Sequence, residues 1–212
     1  MDFWEFKRQV QGQAIIRSRD VVRGFDKPQA MLNQLTRWQK RGLLVPLRKG
    51  IYVLNPDDRK IEAEPAVIAN ALYEPSYVSL EYALNFYGLI PEAVKDVTCV
   101  STRKTAKFDN PLGTFRYQHI HPKAFRGFKK VGAGQGAFFI AEAEKAVVDF
   151  LYLNSSRFQG SVRDVLERSY RFQNIRTLKP VRLNKLALSF ENVKLSRIVK
   201  ELAAWIREEN RD

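Results

Sequence analysis

Four sets of residues in this chain have types and spacings that chemistry could use. His119 and His121 alternate within a predicted strand and would project from one face of it. With no cysteine or carboxylate at ligand spacing, two imidazoles make a poor metal site, so no metal is expected. Glu142, Glu144, Lys145 and Asp149 resemble fragments of a nuclease-like cluster, yet no Asp/Glu-x-Lys pair follows a candidate strand acid. Asp149, the inward anion of an otherwise apolar helix, is expected to be a hydrogen-bonded structural carboxylate. The glycines of 132–136 lack the Lys-Ser/Thr pair of a phosphate cradle and predict a hairpin loop. The single cysteine, Cys99, excludes an internal disulfide and a cysteine-based zinc site, and its neighbours Val97 and Val100 predict a buried small hydrophobe. No serine or cysteine stands in a recognisable nucleophile setting. These sets predict a binder without a cofactor, not a catalyst.

A different kind of chemistry is offered by Gln29, Asn33, Arg37 and Lys40, which share the polar face of a predicted helix that begins near Lys27, and by Arg48 and Lys49, which follow in a tight turn. Amide and guanidinium groups read base edges in a major groove, and cations meet phosphates. The element carrying them runs from Asp26 to Leu54. Asp26 is the expected N-cap and Pro28 suits the first helical turn. Met31, Leu32, Leu35 and Trp38 recur at three- and four-residue spacing, and Gly42 stands where a left-handed residue would end the helix. Two β-prone runs, Leu43 to Leu47 and Ile51 to Leu54, then flank Arg48-Lys49-Gly50, with Gly50 as the expected positive-φ residue. Upstream, Ser18 is the expected cap of a short helix from Arg19 to Gly24. Short helix, turn, longer helix and hairpin together predict a winged helix-turn-helix.

The charge distribution agrees. Over 212 residues the formal net charge is +13. Residues 1–60 hold 13 Lys and Arg against 6 Asp and Glu, residues 61–154 hold 10 against 10, and residues 155–212 hold 13 against 7. Two basic ends around a neutral middle suit a polyanion. No apolar run approaches the roughly 20 residues of a membrane span, and MDFWEFKRQV lacks a signal peptide's apolar core. The expected compartment is the cytoplasm, with no membrane partner.

Around that module, Phe3, Phe6 and Val10, with Trp4 beside them, predict a first packing helix, and Ala14 to Ile16 a short strand beside the wing. Residues 55–60 are polar and turn-rich, which places a domain boundary near residue 60. Beyond it, Pro65 to Leu72 predicts a helix. Leu80, Ala83, Leu84 and Tyr87 predict another, with Gly88 as its stop. Asp96 to Ser101, Gly113 to Ile120, Phe125 to Val131 and Ala137 to Ile140 predict strands. Glu142 to Leu153 predicts a central packed helix, and Val162 to Phe172 and Val193 to Glu209 two amphipathic ones. The fold class expected is α+β: a winged helix-turn-helix at 1–60, then a mixed α/β domain with C-terminal helices at 61–212.

Several stretches together resemble the AbiEi family of antitoxins and transcriptional regulators. They are RKGIYVL at 48–54, YEPSYVSLEYALNFYGLIPE at 73–92, Thr102-Arg103 after a strand, LGTFRYQHI at 112–120 and AEAEKAVVDFLYL at 141–153. They occur in the family's order and cover nearly the whole chain to about residue 155. The family usually carries a proline and leucines where Ala143, Val147 and Val148 stand here, changes that keep the packing role. The resemblance implies an autorepressor that binds inverted repeats in the promoter of its own bicistronic toxin–antitoxin operon, a phage-defence system. It also implies a C-terminal domain countering a nucleotidyltransferase-like toxin encoded alongside, by direct contact or otherwise. Double-stranded DNA is then the partner of the N-terminal module, held by a monomer or weak dimer that pairs on the operator. Two alternatives stay open: a nucleic-acid-processing, nuclease-like enzyme targeted by a winged helix, and an interaction protein that holds RNA.

Overall fold

A computed structural model describes residues 1–23 and 25–211. The chain is α+β, with a three-stranded antiparallel sheet and a six-stranded mixed sheet.

The N-terminal unit opens with α1 (Phe3–Val10), fixed by a reciprocal cap in which the Asp2 carboxylate accepts the Glu5 amide at 2.8 Å and the Glu5 carboxylate accepts the Asp2 amide at 3.0 Å. Phe3, Phe6 and Val10 are buried as their spacing predicts, whereas Trp4 is 65% exposed. The strand β1 (Ile16–Arg17) leads into α2 (Ser18–Val21). Ser18 is not the cap: Arg17 occupies that position without a side-chain bond, and the Ser18 amide donates instead to Gly50 O at 2.8 Å. The expected stop at Gly24 lies outside the described residues. Helix α3 (Pro28–Lys40) starts with Lys27, not Asp26, in the cap position and Pro28 in the first turn. Its end follows the expected form: Gly42 has φ +72°, its amide donates to Gln39 O, and the Leu43 amide to Trp38 O, both at 3.0 Å.

The strands β2 (Leu44–Arg48) and β3 (Ile51–Leu54) form a hairpin closed by Lys49-Gly50, with a bulge between Pro46 and Arg48. β1 pairs on the other side of β3, giving the order β1-β3-β2. Phe6 and Trp38, with ring centroids 4.7 Å apart, centre a small core completed by Ile16, Met31, Leu35, Leu44 and Leu54.

The second unit begins with α4 (Pro65–Leu72), β4 (Ser76–Val78) and α5 (Leu80–Phe86). Gly88, at φ +65°, ends α5 in the same manner as Gly42 ends α3. Next come β5 (Val97–Ser101), β6 (Ala106–Asn110), β7 (Gly113–His119), β8 (Phe128–Val131) and β9 (Phe138–Ala141). The sheet order is β6-β7-β5-β4-β9-β8, parallel where β4 meets β9 and β5 meets β7. The strand expected from Phe125 begins only at Phe128, because Pro122–Ala124 form a 3₁₀ turn and Gly127 takes φ +77°. The glycines after β8 lie in the β8–β9 hairpin connection, as predicted.

Helices α6 (Ala143–Leu153), α7 (Val162–Asp164), α8 (Pro180–Leu188) and α9 (Val193–Glu209) complete the chain. The single helix expected over 162–172 is broken: α7 passes into a π-turn at Val165–Ser169. Tyr117 donates to Ala69 O of α4 at 2.6 Å and Tyr77 to Asp149 of α6 at 2.9 Å, so two phenols tie helices to the sheet. No helix among the described residues is long and apolar enough to cross a membrane.

Candidate nucleic-acid interface

Helix α3 buries Met31, Leu35 and Trp38 and turns Gln29, Asn33, Arg37 and Lys40 to solvent. Within this row Gln29 Nε2 donates to Asn33 Oδ1 at 3.0 Å, and Arg37 reaches Gln34 Oε1 at 3.4 Å. These are weak local contacts between exposed groups, readily exchanged for a ligand's. Lys27 is exposed at the helix start. From Lys27 to Pro56 the chain has six Lys and Arg and no carboxylate. None of Lys27, Arg37, Lys40, Arg41 and Lys49 is in an ion pair among the described residues. These exposed cations, in a unit of net positive charge, are therefore open to an anion from solvent. Arg41, exposed at the C-terminal end of α3, belongs to this set and was not singled out from the sequence; the acid-free run was the signal that could have found it.

At the hairpin the two expected phosphate contacts part company. Lys49 is exposed at the tip. Arg48 is turned away from it: its guanidinium donates to Leu72 O and lies 4.5 Å from the Phe108 ring centroid. A half-buried guanidinium over an aromatic face is held by packing and by its carbonyl acceptor, so the expectation that both cations stand at the hairpin tip is corrected for Arg48: its side chain joins the two units. The same junction holds other arginines. Arg17 and Arg19 both pair with the Glu74 carboxylate, Arg19 at 3.6 Å, and Arg103 donates to Glu74 O at 3.2 Å while covering the Tyr73 ring at 4.5 Å. Arg103 is the arginine of the Thr102-Arg103 pair; it stands exposed beside this junction, on contacts within its own unit.

The other reactive groups are enclosed or dispersed. Lys145 and Asp149, one helical turn apart on α6, form an ion pair with both side chains 0% exposed. Asp149 Oδ2 also accepts from Tyr77 at 2.9 Å and Ser79 at 2.8 Å. Burial pushes the Asp149 carboxyl up and the Lys145 ammonium down, each against the pull of the other. With no exposed atom the pair meets no substrate; it is the structural carboxylate expected for Asp149, with a buried partner in Lys145 that was not expected. Glu142 instead binds Arg182 from outside, at 2.6 Å. Cys99 is fully buried and its thiol is pushed up by desolvation. His119 and His121 do not share a strand face: β7 ends at His119, whose Nδ1 lies 3.0 Å from Arg103 O, and His121 caps the following turn. Among the described residues no cluster of three or more His, Cys, Asp or Glu is placed to hold a metal. No family model and no curated protein matches this chain.

Proposed function

We propose that the N-terminal unit is a winged helix-turn-helix that binds duplex DNA, with α3 as recognition helix and the β2–β3 hairpin as wing. The observation that carries this reading is the acid-free run from Lys27 to Pro56, whose exposed cations and amides lie on one helix face and one hairpin tip. Support comes also from the connectivity: α2 precedes α3, and β1 pairs with the hairpin. Together with the resemblance to AbiEi proteins, this points to an antitoxin and autorepressor acting at inverted repeats in its own promoter, with a nucleotidyltransferase-like toxin as functional partner. Against the nuclease-like alternative, the one lysine–carboxylate pair of α6 is sealed from solvent.

The test is a titration of promoter and unrelated duplexes at several salt concentrations, with Gln29→Ala, Asn33→Ala and Arg37→Ala. A base-contacting side chain is expected to cost about 1–3 kcal/mol and to relax specificity at one position. If all three variants bind every duplex as the parent does, α3 is not the reading helix. The antitoxin part is tested separately: Arg37→Glu with Lys49→Glu should abolish reporter repression yet leave protection from the toxin, at equal protein levels. Loss of both would show that protection runs through nucleic-acid binding.

A further inference from the structure

We propose that the basic cleft at the seam of the two units binds the phosphate chain of a small anion, an inorganic oligophosphate or the triphosphate end of a nucleotide. The inference stands apart from the DNA-binding reading. It rests on three arginines that gather round one residue, Glu74. Arg17 donates to the Glu74 carboxylate, Arg19 lies 3.6 Å from its other oxygen, and Arg103 donates to the Glu74 main-chain carbonyl at 3.2 Å. The cleft they line measures about 480 Å³, a volume within the range of small-molecule sites, and Arg48 and Lys49 of the hairpin line it too. Five cations thus stand against one carboxylate, an excess of four positive charges in a recess, and such a recess concentrates anions.

One carboxylate serves these guanidiniums poorly. Glu74 brings a single charge on a half-exposed side chain and meets Arg19 beyond hydrogen-bond distance; the other acidic neighbour of Arg19, Asp20, is 3.8 Å away. A guanidinium has five N–H donors, and the described residues accept one each from Arg17, Arg48 and Arg103. Two of the groups are also held in place, Arg103 over the Tyr73 ring and Arg48 over the Phe108 ring, so they lose little side-chain freedom on binding. A phosphate chain brings several charges, with paired oxygens that match the guanidinium fork. The Glu74 carboxylate is then a stand-in that the ligand displaces.

The same features decide against two other occupants. A nucleobase has nothing to stack on, because no aromatic side chain among the described residues lines the cleft, and Tyr73 and Phe108 are covered by Arg103 and Arg48. The base of a nucleotide would stay outside. A DNA duplex is too broad and stiff to follow Arg17, whose side chain is 26% exposed, and half-buried Arg48 into the recess. An oligophosphate is narrow and flexible enough to enter.

The experiment uses the ¹⁵N-labelled full chain, followed through its arginine Nε–H signals, with sodium tripolyphosphate as probe and sulfate at matched ionic strength as control. The expected result is a saturable shift of the Arg17 and Arg103 signals with tripolyphosphate, and binding of sulfate at least about tenfold weaker. Glu74→Gln removes the competing carboxylate and should tighten tripolyphosphate about threefold or more. Arg19→Gln with Arg103→Gln, both at exposed positions, should weaken it about tenfold or more, and decides alone if Glu74→Gln fails to fold by circular dichroism. Lys200→Gln removes an exposed cation of α9 and should leave the affinity unchanged. Adenosine triphosphate tells the two sources apart: affinity equal to that of tripolyphosphate assigns the cleft to the chain alone, and tighter binding assigns it to a nucleotide. Equal shifts with sulfate, a folded Glu74→Gln that binds no tighter, or equal losses in Lys200→Gln and the double variant would each overturn the proposal. So would shifts with duplex DNA and none with tripolyphosphate, which would give the cleft to a DNA backbone.

Discussion

Replacing Lys145 by methionine isolates the energetics of the buried pair, because the thioether keeps most of the volume of the lysine stem and removes only the charge and its donor. Asp149 then retains the Tyr77 and Ser79 hydroxyls on Oδ2 but loses its only cation, in a site with no exposed atom. Breaking a buried pair in this way costs about 3–5 kcal/mol, at least about a fifth of the roughly 5–15 kcal/mol that holds a typical domain together. The pH dependence carries a definite sign. Burial already pushes the Asp149 carboxyl up, and Lys145 is the foremost group opposing it. With Lys145 gone the folded-state value rises further above the unfolded one, so the penalty grows as pH rises from the unfolded value towards the folded one. The variant should regain stability as pH falls from 7 to 5, and Lys145→Met with Asp149→Asn should recover most of the loss at pH 7. Urea denaturation followed by far-UV circular dichroism measures all three. A single variant within about 1 kcal/mol of the parent, or a double variant no better than the single, would show that the pair is not the buried charge centre argued above.

Arg48 and Lys49 should separate stability from binding: Arg48→Ala should cost about 1–2 kcal/mol by freeing the Leu72 carbonyl and the Phe108 face, with an unchanged salt slope. Lys49→Ala should leave stability alone and reduce the slope of log K against log salt for duplex DNA by about one unit; the reverse pattern would refute the orientation of the two side chains. Burial raises the phenols of Tyr77, Tyr82 and Tyr117, and that of Tyr87 to about 12. The unfolded chain therefore loses these protons first, and the stability they confer, full below the unfolded value of about 10, is lost as pH rises through the folded values. Urea midpoints at pH 9 and pH 11 should fall accordingly, and less steeply in Tyr87→Phe; a flat response would mean that the phenols are not held as described.

Helix ends and apolar stripes were legible in the sequence because they are local. Gly42 and Gly88 stop α3 and α5 as their spacing from the last buried residue predicts, and the stripe from Leu195 to Ile206 is buried throughout. Two strands were not legible. β4 spans three residues, all buried, so it shows no alternation, and the charged edge strand β6 reads as loop. The rest of the difference lies in side-chain direction. Arg48 has the composition of a wing-tip cation, yet the neighbouring unit supplies a carbonyl and an aromatic face that only tertiary packing brings near. Lys145 stands on a helix that is apolar nearly all round, and the four-residue step to Asp149 was the available sign that the two go inside together. The polar face of α3 depends on its own periodicity alone, and its side chains stand where that periodicity places them.

The parallel pairing of β4 with β9 also sets an order of events during synthesis. Every residue of the core around Phe6 and Trp38 has been made once Leu54 has. β4, by contrast, can take β5 as a neighbour early, while its other edge waits for Ile140 to reach Val78. That edge stays open while residues 79 to 137 are added, and an open edge in the middle of a future sheet is a template for the wrong strand. Contacts of such sequence separation also close slowly, since the intervening loop must be ordered first. The emerging chain thus meets its most aggregation-prone interval after its first unit is complete and before α6 can deliver the Lys145–Asp149 pair beneath Tyr77.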